Sequence, residues 1–276
     1  MTREPEQLPF DEYLEKCIEM VPTSADWVDK NTKVPQLEVL AYRLIWATTN
    51  QHEHQPKKGL ERECELNLLV KLVQELRSLV ACARTGSMYG AIHHARGAFE
   101  TAGVAYYVFG DPGKTAERLR RWEIYPVARR YVEELRLRAE VASGSMTQSE
   151  FDSIVTTPTV PTQSDKDEWK ALFGYKDGKL KIRPWSDRSL TSLCEDLTGG
   201  AGGGRIYGHL CNGTHVTPLS RRLLGTPSLT PAAVRAEPIE MATTGATVAT
   251  AKLLEQIPLG ASIQTLCQDQ MLACYR

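Results

Sequence analysis

The sequence predicts an all-α, multi-helix bundle with a small irregular or hairpin excursion near residues 142–185. Three observations carry that expectation. Apolar residues recur at helical spacing through most of the chain, and Pro and Gly punctuate the runs. Strand-like alternation shows only in YKDGKLKIRPW, around Asp177-Gly178, where it suggests a small hairpin. A composition of 42% hydrophobic and 24% charged residues is that of a folded globular chain.

Residues 10–20 (FDEYLEKCIEM) read as a short amphipathic helix closed by Pro22. After Pro35, residues 36–50 give a second helix, with Leu37, Leu40, Leu44 and Ile45 on one face, and 51–59 (QHEHQPKKG) reads as a loop. A long helix spans 60–85 on the stripe Leu66, Leu69, Val70, Val73, Leu76 and Val80, and Gly86 ends it. Residues 87–109 follow, rich in Gly and Ala, up to the stop Asp111-Pro112-Gly113. Small side chains let neighbours approach a helix backbone closely, so 87–109 is expected to be the central, buried helix.

Residues 114–141 form a long helix with a basic face and Pro126 inside it. The stretch 142–185 turns to Ser, Thr and Pro and holds too few apolar residues for a core of its own. Ser186 is the expected N-cap of a helix over 187–198. The glycine cluster from Gly199 to Gly204 is expected to break it, with 205–212 a short helix capped by Gly213. Helices over 230–256 and 260–274 complete the chain. Three regions are expected: N-terminal helices in 1–59, a helical core in 60–225 that carries the excursion, and C-terminal helices in 226–276.

With 33 basic and 34 acidic residues the net charge is −1, which gives no overall signature for nucleic acid or an anionic membrane. No run of about 18 apolar residues is present, so no transmembrane helix is expected. Residues 1–10 are charged and lack the apolar core of a secretory signal, which makes the cytoplasm the expected location. Seven scattered cysteines without a CxxC fit reduced thiols better than disulfides or a zinc site. The His52-Glu53-His54 triplet lacks the ExxH spacing of a di-iron bundle, and no metal or cofactor is called for. The glycine cluster has no Lys-Ser/Thr after it and no strand before it, so it is not a phosphate loop.

Chemistry concentrates in two places. His93, Arg96 and Glu100 are spaced i, i+3, i+7 and share a helix stripe about 60° wide, with Tyr107 on the same line. An Arg96–Glu100 pair in that position either fixes helix register, faces water, or, if buried, shields its own two charges from desolvation beside a His93 able to act as acid or base. The second group is RIYGHLCNGTH, where Arg205, His209 and Asn212 share a helical face and His215 follows the Gly213 cap. Imidazole and guanidinium beside a phosphodiester allow proton transfer and charge stabilisation without metal. Equally, Asn212 and His215 would serve to cap a helix end. The arginine-rich helix 118–138 carries interspersed glutamates, which makes it a solvated face rather than an anion-binding one.

Taken together, HHARGAFETAGVAYYVF, the basic helix and RIYGHLCNGTH resemble a widespread bacterial helical family of unknown function. Its members pair an Arg-x3-Glu helix with a later Tyr-x7-His segment, positions held here by Arg96, Glu100, Tyr207 and His215. The resemblance covers about residues 60–225. That family is similar in architecture to HEPN domains, many of them metal-independent ribonucleases of toxin and defence systems, which carry an Arg and, a few residues on, a His. In this chain three residues separate Arg205 from His209 and nine separate it from His215.

Two functions are therefore expected alternatives. One is an RNA-cleaving, toxin- or defence-type effector, with His209 and His215 as acid and base and Arg96 and Arg205 holding phosphate. The other is a non-catalytic module that binds a small polar ligand or a partner protein. A homo-oligomer is compatible with either.

Overall fold

The structure, a computed structural model, describes residues 25–54, 59–176, 179–180, 186, 188–197, 201–214, 236–259 and 261–275. The fold is all-α. The chain divides into two compact units, one from 1–110 with 190–276 and the other from 111–189. The three-part division expected from sequence follows composition along the chain, whereas these units follow packing.

In the first unit, α1 covers 25–31, α2 Val34–His54, α3 Leu60–Arg84 and α4 Met88–Phe109. It resumes with α8 Leu190–Asp196, α9 Ala201–Thr214, α10 Ala236–Gln256 and α11 Ala261–Tyr275. Helix α4 is central, as its composition leads one to expect, and packs against α3, α8, α9 and α10. Ala91, Ala95, Ala98, Ala102 and Ala105 run along it at three- and four-residue spacing and are fully buried. Opposing small residues on α10, among them Ala242, Ala246 and Ala249, are equally buried. The buried Thr247 and Thr250 return their hydroxyls to the carbonyls of Thr243 and Ala246, so α10 satisfies these polar groups within its own backbone.

The turn from α3 into α4 is local chemistry. Gly86 takes φ of 75°, open to glycine at little cost. Ser87 then caps α4, its side chain accepting from the Gly90 N–H at 3.4 Å. Arg84 bonds Glu38 of α2 through both terminal nitrogens, at 2.9 and 2.6 Å, and Asp29 through Nε at 2.9 Å. That fork fastens the end of α3 to the N-terminal helices.

Several local expectations are corrected. Helix α2 continues to His54, so residues 51–54 are helical rather than loop. Ser186 donates its hydroxyl to the Arg188 carbonyl at 2.7 Å instead of capping a helix, and α8 starts at Leu190. Helix α8 does end at Asp196, ahead of the glycine cluster, but Gly202, Gly203 and Gly204 belong to the next helix, since α9 begins at Ala201 and passes through Gly213 to Thr214. Buried Tyr207 and Leu210 anchor that helix, and such packing outweighs the low helix propensity of its glycines. The helix expected over 10–20 and residues 230–235 lie outside the described residues.

The second unit contains α5 Thr115–Ala142, α6 Gln148–Ile154 and α7 Gln163–Phe173. A minimal antiparallel pair follows, β1 Tyr175–Lys176 and β2 Lys179–Leu180, in register Tyr175–Leu180 and Lys176–Lys179. Helix α5 runs through Pro126. It supplies the apolar partners that 142–185 lacks: Ile124 and Ala128 pack with Trp169 and Phe173, flanked by Tyr125, Tyr131 and Leu172. Most of its arginines are neutralised close by, Arg120 by Glu123 and Glu168 and Arg136 by Glu133 and Glu140. Buried Glu134 takes the Thr159 N–H at 2.8 Å and its hydroxyl at 2.6 Å. No helix among the described residues is long and apolar enough to cross a membrane.

Candidate functional site

Three of the sequence's candidates, Arg96, Glu100 and Tyr207, meet where α4 packs against α9. Arg96 and Glu100 stand one turn apart on α4, and Arg96 Nε donates to Glu100 Oε1 at 2.8 Å. Across the seam, Tyr207 of α9 donates its hydroxyl to the same oxygen at 3.0 Å. The Arg96 guanidinium lies 6.0 Å from the centre of the Tyr207 ring, and the Phe99 ring is 6.3 Å from it on the apolar side. Tyr207 is 3% exposed, while the Arg96 and Glu100 side chains keep 26% and 27% of their surface. The seam therefore has a dry phenol at its base and a partly open ion pair at its rim.

Two thiols border it. Cys194 of α8 donates to the Phe99 carbonyl across 3.7 Å, and Cys211 of α9 hydrogen bonds Tyr207. Burial, then the nearby Glu100 charge, pushes the Cys194 thiol up to about 12. The same two causes hold the Tyr207 phenol well above the usual tyrosine range. For Arg96, burial opposes the charge, but the hydrogen bond and charge of Glu100 outweigh it and raise the pKa. At neutral pH the phenol and the Cys194 thiol are thus protonated and the guanidinium is charged. Neither oxygen nor sulfur is prepared as a nucleophile.

Both bonds to Glu100 end on Oε1. Among the described residues none occupies its Oε2, which remains an acceptor on a side chain open to solvent.

The other expected residues lie apart from this network or outside the described region. His93 is exposed, stacked on Tyr89 with ring centres 6.3 Å apart. Tyr107 is buried near the end of α4. A stripe 60° wide on a central helix straddles the boundary between core and solvent, which separates His93, Arg96 and Tyr107 by environment. Arg205 and His209 are exposed, one turn apart on α9. Asn212 lies within α9, and His215 lies outside the described residues.

A second polar group escaped the sequence reading. Glu75 of α3, 7% exposed, meets Lys71 Nζ at 2.5 Å and His94 Nδ1 of α4 at 2.7 Å. The α4 backbone comes so close that a Cβ on Gly97 would sit 2.6 Å from the Glu75 carboxyl carbon. The signal was available: Glu75 interrupts the run Leu72, Val73, Leu76, and a glycine lies on the neighbouring helix to admit it. No group of three or more His, Cys, Asp or Glu able to hold a metal occurs among the described residues. Comparison of the chain with protein-family models, curated proteins and solved structures finds no match.

Proposed function

We propose that the chain is a non-catalytic binding module that takes a small polar ligand at the α4–α9 seam. The observation that carries this is Glu100, bonded by Arg96 and Tyr207 at Oε1 and with no partner on Oε2 among the described residues, on a partly exposed side chain. A carboxylate fixed at one oxygen presents the other in a set direction, which lowers the ordering cost of accepting a donor. A carboxylate oxygen accepts only, so the matching ligand group is an N–H donor such as a carboxamide or an exocyclic amine of a nucleobase. The protonated phenol and Cys194 thiol support binding over covalent chemistry.

Ligand-observed NMR with adenine, cytosine, nicotinamide and glucosamine, on wild type and Glu100→Gln, tests the reading. In the glutamine variant the amide oxygen keeps the Tyr207 bond and the NH2 turns outward, so an acceptor becomes a donor. At least one probe is expected to bind wild type saturably and to lose most of its affinity in Glu100→Gln. No binding by the panel, or binding indifferent to the substitution, would overturn it.

A second reading, metal-independent RNA cleavage of the HEPN-like kind, draws on the exposed Arg205 and His209 one turn apart on α9. It requires cleavage of labelled RNA in EDTA that disappears in both Arg205→Ala and His209→Ala. Such activity would displace the binding reading.

A further inference from the structure

Helix α2 is apolar on two opposite sides. Leu37, Leu40, Ala41, Leu44 and Ala47 face the core and are fully buried. Pro35, Val39, Tyr42 and Trp46 recur at three- and four-residue spacing on the other side, where a surface helix ordinarily carries polar residues. Val39 is 43%, Tyr42 56% and Trp46 53% exposed. Arg43 donates to the Leu266 carbonyl of α11, which sets Leu266, 45% exposed, beside the stripe. The charges that border the stripe are engaged within the chain, Glu38 by Arg84 and Arg43 by that carbonyl. Val39, Tyr42, Trp46 and Leu266 together expose on the order of 400 Å² of apolar surface, as much as the largest patch of a typical monomer, and such patches mark interaction sites.

We infer that this face joins two copies of the chain in a two-fold dimer, with α2 antiparallel to the α2 of its partner. Size complementarity selects a second copy. Val39 and Trp46 stand on either side of Tyr42, so a two-fold axis near Tyr42 sets the large Trp46 against the partner's Val39, and does so twice. The area agrees. Four such side chains from each copy bury about 800 Å², and the polar rim around such a core carries the interface past the ~1,000 Å² that specific association needs. The stripe holds no charge, so two copies meet along it without like-charge repulsion.

Sedimentation equilibrium of the full chain over about 1–100 µM tests the inference. The mass is expected to rise with concentration toward twice 30.8 kDa and to go no further, since a two-fold interface closes on itself. Tyr42→Glu places a charge at the axis and should weaken the dimer about tenfold or more. Its urea midpoint at the lowest concentration should match wild type, because Tyr42 points away from the core. Val39→Trp sets two large side chains against each other and should weaken the dimer as well. Adding Trp46→Val to Val39→Trp exchanges large for small and should restore it. Leu190→Glu is the control: Leu190 is 40% exposed on α8, which packs on α4 and α9, and its replacement should leave the dimer intact. A monomeric mass throughout the range would overturn the inference. So would a dimer indifferent to both Tyr42→Glu and Val39→Trp, or one that Leu190→Glu weakens equally.

Discussion

Individual side chains in the α4–α9 seam are set by what surrounds them. Cys194 shows this most simply: it is fully buried, bonded to the Phe99 carbonyl, and lifted to about 12 by burial and the Glu100 charge. At pH 8 only about one molecule in ten thousand then carries the thiolate that alkylating reagents need. Iodoacetamide labelling followed by mass spectrometry should leave Cys194 unmodified in the native protein and label it fully in urea. Rapid native labelling would contradict its placement. Residue chemistry was the part of the site most legible in sequence. Arg96 and Glu100 were paired by helical spacing alone, whereas nothing in the sequence said which side chain Tyr207 would bond. The Cys194 and Cys211 contributions were not legible, because a scattered cysteine carries no signal of which helix it will face.

Between helices, small residues decide how closely backbones approach. Gly97 and Gly103 both lie on α4, yet they face different neighbours. A Cβ at Gly97 would press on a Glu75 carboxylate that Lys71 and His94 hold in place, so the clash cannot relax without breaking those bonds. At Gly103 the nearest atoms, Cys194 Sγ at 3.4 Å and Leu193 Cβ at 3.5 Å, are in ordinary contact. Gly97→Ala should therefore destabilise by about 1–3 kcal/mol. Gly103→Ala should be neutral or gain up to about 1 kcal/mol from helix propensity. Urea unfolding of the two variants checks the contrast, and similar losses at both would contradict it.

Helix existence was legible from apolar periodicity, since long amphipathic runs such as α3 leave little alternative. The stretch 142–185 was less so. Its two short helices open with capping boxes, Thr147 with Glu150 and Thr162 with Asp165, a local pattern that apolar periodicity does not register. The glycines of α9 misled for the opposite reason: propensity is local, and the burial that overrides it comes from segments far away in sequence.

Across the molecule, stability against acid should follow from carboxylates held in their charged form. The Arg84 hydrogen bond and charge keep Glu38 below its ordinary value of 4.5. Folded Glu38 therefore binds protons less readily than the unfolded chain does. The stability it contributes is complete above about pH 4.5 and is lost as pH falls through the lower folded value. Lowering the pH from 7 to about 3.5 should cost wild type more unfolding free energy than Glu38→Gln. Equal losses would show that the fork between α3 and α2 is not formed in solution. Tertiary pairing of this kind was beyond sequence reading, since nothing local joins Glu38 to Arg84.

The same holds for the contact on which the functional reading stands, the bond from Tyr207 to Glu100 across 107 positions of the chain. A double-mutant cycle of Glu100→Ala and Tyr207→Phe, followed by urea unfolding, measures it directly. The expected coupling is about 1–3 kcal/mol, the range for a hydrogen bond to a charged acceptor. Additive effects, with coupling near zero, would mean that the two helices do not meet through these residues and that the proposed seam is absent.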